Sequence, residues 1–156
     1  MFKILALDQS SRVTGWALVT NKGIKHYGYF EADGDLDSIS RLRVVKENIN
    51  QLIEKYKPSF VVFEDTQYQS NANGFKILAM VQGVIMDILF SHNIDFYIVA
   101  PVTWKSFCGI TGRKREEQKA NTKAFVAKRY NIIATEDEAD AIGIATWAIA
   151  NIKEES

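Results

Sequence analysis

Four carboxylates in this sequence stand where local packing and spacing make their chemistry the first question. Asp8 closes the apolar run Ile4-Leu5-Ala6-Leu7, and Glu64 closes Phe60-Val61-Val62-Phe63. An ionised carboxylate at the edge of a core is costly unless it is paired, hydrogen-bonded or bound to a metal. Asp137 and Asp140, in "TEDEADAIGIATWA", are three apart and so share one face of a helix. Each acid has an ordinary explanation: a turn-initiating Asp8, an Arg partner for Glu64, helix-dipole stabilisation for Asp137 and Asp140. Three separate elements delivering acid to one edge favour a different answer. Clustered carboxylates with no cationic partner nearby in sequence repel one another, and hard divalent ions resolve that cost. Two such ions close together suit in-line phosphodiester hydrolysis, one activating water and the other stabilising the leaving oxygen. Glu136 and Glu138 read as capping or solvated residues.

The elements that must position these acids follow from periodicity. Lys3–Asp8 and Phe60–Phe63 read as buried strands, and ligand sites in α/β sheets gather at the carboxyl ends of such strands. Thr14–Thr20 and Ile24–Phe30 read as two more, joined at the turn Asn21-Lys22-Gly23. Asp37 suits a helix N-cap, with Ile39, Leu42, Val45, Ile49, Leu52 and Ile53 at helical spacing and a stop before Pro58. A second helix is expected over Phe75–His92, and a fifth strand over Asp95–Val99. A short helix at Thr103–Cys108 and a loop at Gly109–Gly112 precede a charged helix near Glu116–Tyr130. The last helix, near Glu136–Ile149, opens on Thr135 with Glu138 three residues on, a capping-box pattern. Three strands, helix, strand, helix, strand and helices make an α/β domain, a mixed sheet with a leading meander and helices on both faces.

At 156 residues and 47% apolar composition the chain fits one domain, 1–156, with a real core. Its formal charge of zero hides a segregation. Between Lys105 and Arg129 there are eight Lys/Arg against two Glu, a local balance of +6 that leaves −6 elsewhere. One basic segment beside acidic clusters could place a polyanion next to a metal site, although charge counting alone favours a solvated helix face. The single cysteine, Cys108, excludes an internal disulfide and fits a reducing cytoplasm. No signal-peptide pattern follows Met1, and Gln82, Gly83 and Asp87 interrupt the most apolar stretch, so no transmembrane helix is expected. His26 and His92 read as surface residues, and Trp16, Trp104 and Trp147 as core or interface residues. Gly83, mid-helix, suggests a close helix crossing within or between subunits, or mere tolerance.

The chain resembles a RuvC-type Holliday-junction resolvase of the RNase H-like nuclease superfamily. The likeness is carried by "LALDQSSRVTGWALV", "VVFEDTQYQSNANGFKILAMVQGVI", "APVTWKSFCGITGRKREEQKANTKAFV" and "EDEADAIGIATWA", in the family's order over nearly the whole chain. It implies an RNase H-like five-stranded sheet, a three-strand antiparallel meander plus two parallel strands, with helices on both faces. It implies that Asp8, Glu64, Asp137 and Asp140 carry catalysis and bind Mg²⁺, or Mn²⁺ in its place, with two ions per site. Lys105 and Lys119 fall where the family keeps functional lysines, with Lys114 or Lys123 as alternatives to Lys119. Arg113, Lys114, Arg115 and Lys123 complete the expected DNA-binding set. Gln67, with Tyr68 beside it, stands where the family inserts an aromatic wedge into the junction. Gln9 and Ser10 replace a common Pro-Gly, as in a divergent, phage-borne member working in a bacterial host's cytoplasm. The implied function is symmetric paired nicking of four-way DNA junctions by a homodimer. An RNase H-like nuclease for other branched DNA or RNA, and a non-catalytic branched-DNA binding module, are the alternatives. Four retained acids argue against the last, since acids beside a phosphate backbone cost affinity unless metal offsets them.

Overall fold

The computed structural model describes residues 1–67 and 71–155. Five strands, β1 (Ile4–Asp8), β2 (Val13–Thr20), β3 (Gly23–Glu31), β4 (Phe60–Glu64) and β5 (Asp95–Val99), form one sheet in the order β3-β2-β1-β4-β5. The three leading strands pair antiparallel, whereas β1–β4 and β4–β5 are parallel. The helices are α1 (Ser38–Tyr56), α2 (Ala72–Ser91), α3 (Pro101–Cys108), α4 (Arg115–Tyr130) and α5 (Glu136–Asn151).

The two-residue period of the strands sorts the core into two halves. Ile4, Ala6, Ala17, Val19 and Val62 pack with α5 on one face of the sheet. Leu5, Leu7, Leu18, Val61 and Phe63 pack with α1 and α2 on the other. Helix α5 lies close to the sheet because its buried residues include Ala139, Ala141, Gly143, Ala145 and Ala148. The expected capping box is formed: Thr135 accepts from the Glu138 N–H, and the Glu138 carboxylate accepts from the Thr135 N–H.

Several helix starts differ from the sequence expectation. Helix α2 begins at Ala72 rather than Phe75, because the Asn71 side chain accepts from the N–H groups of Asn73 and Gly74. Helix α3 begins at Pro101 rather than Thr103, using a proline whose fixed φ suits the first helical position. Helix α4 begins at Arg115 rather than near Glu116, so Arg113 and Lys114 precede it. Helix α2 is long and apolar enough to cross a membrane, despite Gln82, Gly83 and Asp87. Its stripe Val81, Ile85, Ile88 and Leu89 is instead buried against the sheet. Gly83 faces open space, so among the described residues no helix crosses closely there.

Candidate active site

Asp8 follows Ile4 and Ala6 by the strand period, and Glu64 follows Phe60 and Val62, so both acids project on the α5 face. Their strands are parallel neighbours, Leu7 opposite Phe63, which sets the two carboxylates side by side at the carboxyl edge. Helix α5 brings Asp137 and Asp140 to the same edge. Its approach explains a glycine: Gly15, opposite Asp8 on β2, would push any Cβ into the Asp137 carbonyl. Gly15→Ala should therefore cost about 1–3 kcal/mol through overpacking. Thermal melting of the variant beside the wild type checks this.

The four acids line one cavity of about 640 Å³ together with Lys105, Arg115, Lys119 and Gln67. Burial pushes the Asp8 carboxyl well above the usual carboxylate range, and the charges of Asp140, Glu64 and Asp137 push it further. Burial also raises Glu64 and Asp140, while Trp104 partly offsets the rise for Glu64 and Lys119 does so for Asp140. The Lys119 ammonium, from α4, stands 3.3 Å from Asp140 Oδ2 and 4.0 Å from Glu136 Oε2. Burial lowers its proton affinity, but the neighbouring Asp140 carboxylate leaves it raised overall. With Asp65, five acids face Lys105, Arg115 and Lys119 across the cavity, which leaves excess negative charge there. The cluster calls for cations.

Of the expected DNA-binding residues, Lys105, Arg115, Lys119 and Gln67 line the cavity. Arg113, Lys114 and Lys123 are exposed and lie outside that lining. Lys119 is the lysine placed against the acids, although Lys123 is four residues on along the same helix. Tyr68 lies outside the described residues.

Three supporting side chains escaped the sequence reading. The Gln9 amide donates to the Glu64 carbonyl at 2.6 Å and accepts from the Glu64 N–H at 3.3 Å, extending the β1–β4 pairing past its last residues. Gln118 accepts from Lys105 Nζ at 3.1 Å and donates to the Gly112 carbonyl at 2.9 Å, so Lys105 is held rather than free. Trp104, expected only as a core or interface residue, donates its indole N–H to Glu64 Oε2 at 2.7 Å. Among discounted residues, His26 stacks on Tyr56 and His92 bonds Asn50, both away from the acids. Burial pushes the Cys108 thiol up to about 11, which keeps it a poor nucleophile at neutral pH.

A mixed five-stranded sheet with acids at the ends of its two central parallel strands, and more acid on the covering helix, defines the RNase H-like class of nucleases. Residues 4–148 match the family model of the crossover junction endodeoxyribonuclease RuvC, and the chain belongs to that family. A crossover junction endodeoxyribonuclease RuvC from Fusobacterium nucleatum is 30% identical over 157 residues, covering 96% of this chain and 81% of the relative. Thermus thermophilus RuvC, solved in complex with a Holliday junction substrate, superposes with a TM-score of 0.75 at 13% identity, over 94% of this chain and 92% of that one. The yeast mitochondrial Holliday junction resolvase does so with a TM-score of 0.62 at 14% identity, over 94% and 77% of the two chains. These structural likenesses establish the shared fold.

Proposed function

We propose that this chain is a metal-dependent endodeoxyribonuclease that resolves four-way DNA junctions by paired symmetric nicks. The observation that carries the reading is the convergence of Asp8, Glu64, Asp137 and Asp140 on one cavity bordered by Lys105, Arg115 and Lys119. The donor set fits a hard divalent ion, Mg²⁺ or Mn²⁺ in its place: every candidate ligand is a carboxylate, and burial together with their mutual repulsion raises Asp8. Among the described residues no three or more His, Cys, Asp or Glu side chains are already gathered closely enough to hold a metal ion. Mg²⁺ needs no such preformed set, because it keeps several waters and takes the rest of its shell from substrate phosphate. Asp8 and Glu64, on adjacent rigid strands, and Asp140, on α5, would hold two ions, with Asp137 beside them. The chemistry such ions supply is activation of water and stabilisation of the leaving oxygen.

The chain's own cations do the remaining work. Lys119 is held at a fixed place by Asp140, where it can meet a phosphate oxygen as charge develops on it. Lys105, braced by Gln118, borders the same cavity and would fix the strand entering it. Arg113, Lys114 and Lys123 lie outside the cavity lining and suit flanking backbone phosphates, while Gln67 stands at the cavity where the junction centre would lie.

Helix α2 supplies the reason for a second copy. One stripe is buried in the core, yet Met80 is 36% and Phe90 66% exposed, and Gly83 between them faces open space. A four-way junction is two-fold symmetric, and a C2 dimer presents two equivalent sites to it. Sedimentation of the wild type should give a dimer, and Met80→Glu should shift it to monomer and abolish coordinated nicking. A wild type that stays monomeric on junction DNA would overturn this part of the proposal.

A further inference from the structure

We propose that Trp104 is a positioning residue for Glu64, its indole N–H fixing one carboxylate oxygen so that the other is presented to the cavity. The inference rests on the reading of Glu64 as a metal ligand. Trp104 is fully buried, and a buried indole N–H needs a partner. The partner is Glu64 Oε2, at 2.7 Å. The ring is itself fixed from the far side: a Cβ at Gly143 of α5 would strike its six-membered edge, so glycine there makes the socket. Ring, socket and acceptor thus tie α3, α5 and β4 together at one point.

The choice of donor has a physical logic. A lysine or arginine on Glu64, added to Lys119 on Asp140, would offset more of the charge a divalent ion needs. A hydroxyl can rotate to accept as well as donate. Indole is a donor only and does not titrate, so it sets the carboxylate's orientation while leaving its charge in place. A carboxylate keeps ample acceptor capacity after one such bond, which leaves Oε1 free for the cavity side.

The test is metal binding by the full chain, with no substrate present. Manganese titration followed by electron paramagnetic resonance should show binding to the wild type that Glu64→Gln weakens. If the wild type binds no Mn²⁺, the proposed function itself fails. Given that binding, Trp104→Phe, which keeps a ring and loses the N–H, should weaken Mn²⁺ affinity about ten- to a hundredfold, the scale for losing a ligand's hydrogen-bond partner. In the Glu64→Gln background the same change should have little further effect. Wild-type affinity in Trp104→Phe, or an equal penalty in both backgrounds, would overturn the positioning role and leave only packing. Should Trp104→Phe fail to fold, ¹⁵N-indole spectra of the wild type decide, assigned with Trp16→Phe and Trp147→Phe. The Trp104 N–H signal should shift on Mg²⁺ addition; a signal unmoved while Mg²⁺ binds would overturn the inference.

Discussion

Asp8→Asn should abolish cleavage and, at the same time, make the metal-free protein more stable. The first effect follows from removing a charge at the centre of the acid cluster while changing almost no volume. Metal-supplied stabilisation of a phosphoryl transition state is worth several kcal/mol, so the loss should be roughly a thousandfold or more. Junction binding, measured in Ca²⁺, should persist. The second effect follows from burial and like-charge crowding, which hold the native Asp8 carboxyl well above its ordinary value. A raised carboxylate means the native state binds more protons than the unfolded chain, so stability falls as pH rises from the ordinary carboxylate range through the raised value. In EDTA the melting temperature of Asp8→Asn should thus exceed that of wild type at neutral pH, and the gap should close toward acid pH. Added Mg²⁺ should reverse the order by stabilising only the wild type. Glu64→Gln and Asp140→Asn should behave alike in cleavage; a wild-type rate in any of them would remove that acid from the site.

The second large effect separates binding from chemistry in the basic segment. Lys119→Ala should lower the cleavage rate of bound junction by roughly a hundredfold or more, the scale for losing one preorganised charge-stabilising donor. Affinity should fall only modestly, because the other cations still hold the DNA backbone. Neutralising Arg113 and Lys114, which are exposed and lie outside the cavity lining, should do the opposite. Every phosphate that is no longer neutralised should reduce the salt slope of binding by about 0.9, with the rate at saturating protein near normal. Single-turnover cleavage with protein in excess, beside binding titrations at several salt concentrations, distinguishes the two. A bound junction cut by Lys119→Ala at the wild-type rate would take that lysine out of the chemistry.

The acids were legible because strand and helix periods are local. Asp8 and Glu64 end apolar runs whose two-residue alternation fixes the face they occupy, and Asp137 and Asp140 share a helix face by spacing alone. Their supports were not legible. Gln9 reaches a residue 55 positions away and Trp104 one 40 positions away, and such side-chain bonds leave no periodic trace. Gly15 looks like an ordinary strand glycine until the first turn of α5 is set against it. The helix starts moved for a related reason. Asn71 and Pro101 act through capping and fixed φ, whereas the apolar pattern begins only later in each helix.

Resolution of four-way junctions at this acid-lined cavity is measured with a synthetic four-way junction, Mg²⁺ and the wild-type chain, beside EDTA and Asp8→Asn controls. Two nicks are expected at symmetric positions in opposing strands of like polarity, leaving 5′-phosphate and 3′-hydroxyl ends that ligase seals without further processing. Both controls should leave the junction whole, and linear duplex of the same sequence should remain uncut. Cleavage that survives in Asp8→Asn, or that falls equally on the linear duplex, would contradict junction resolution at this cavity.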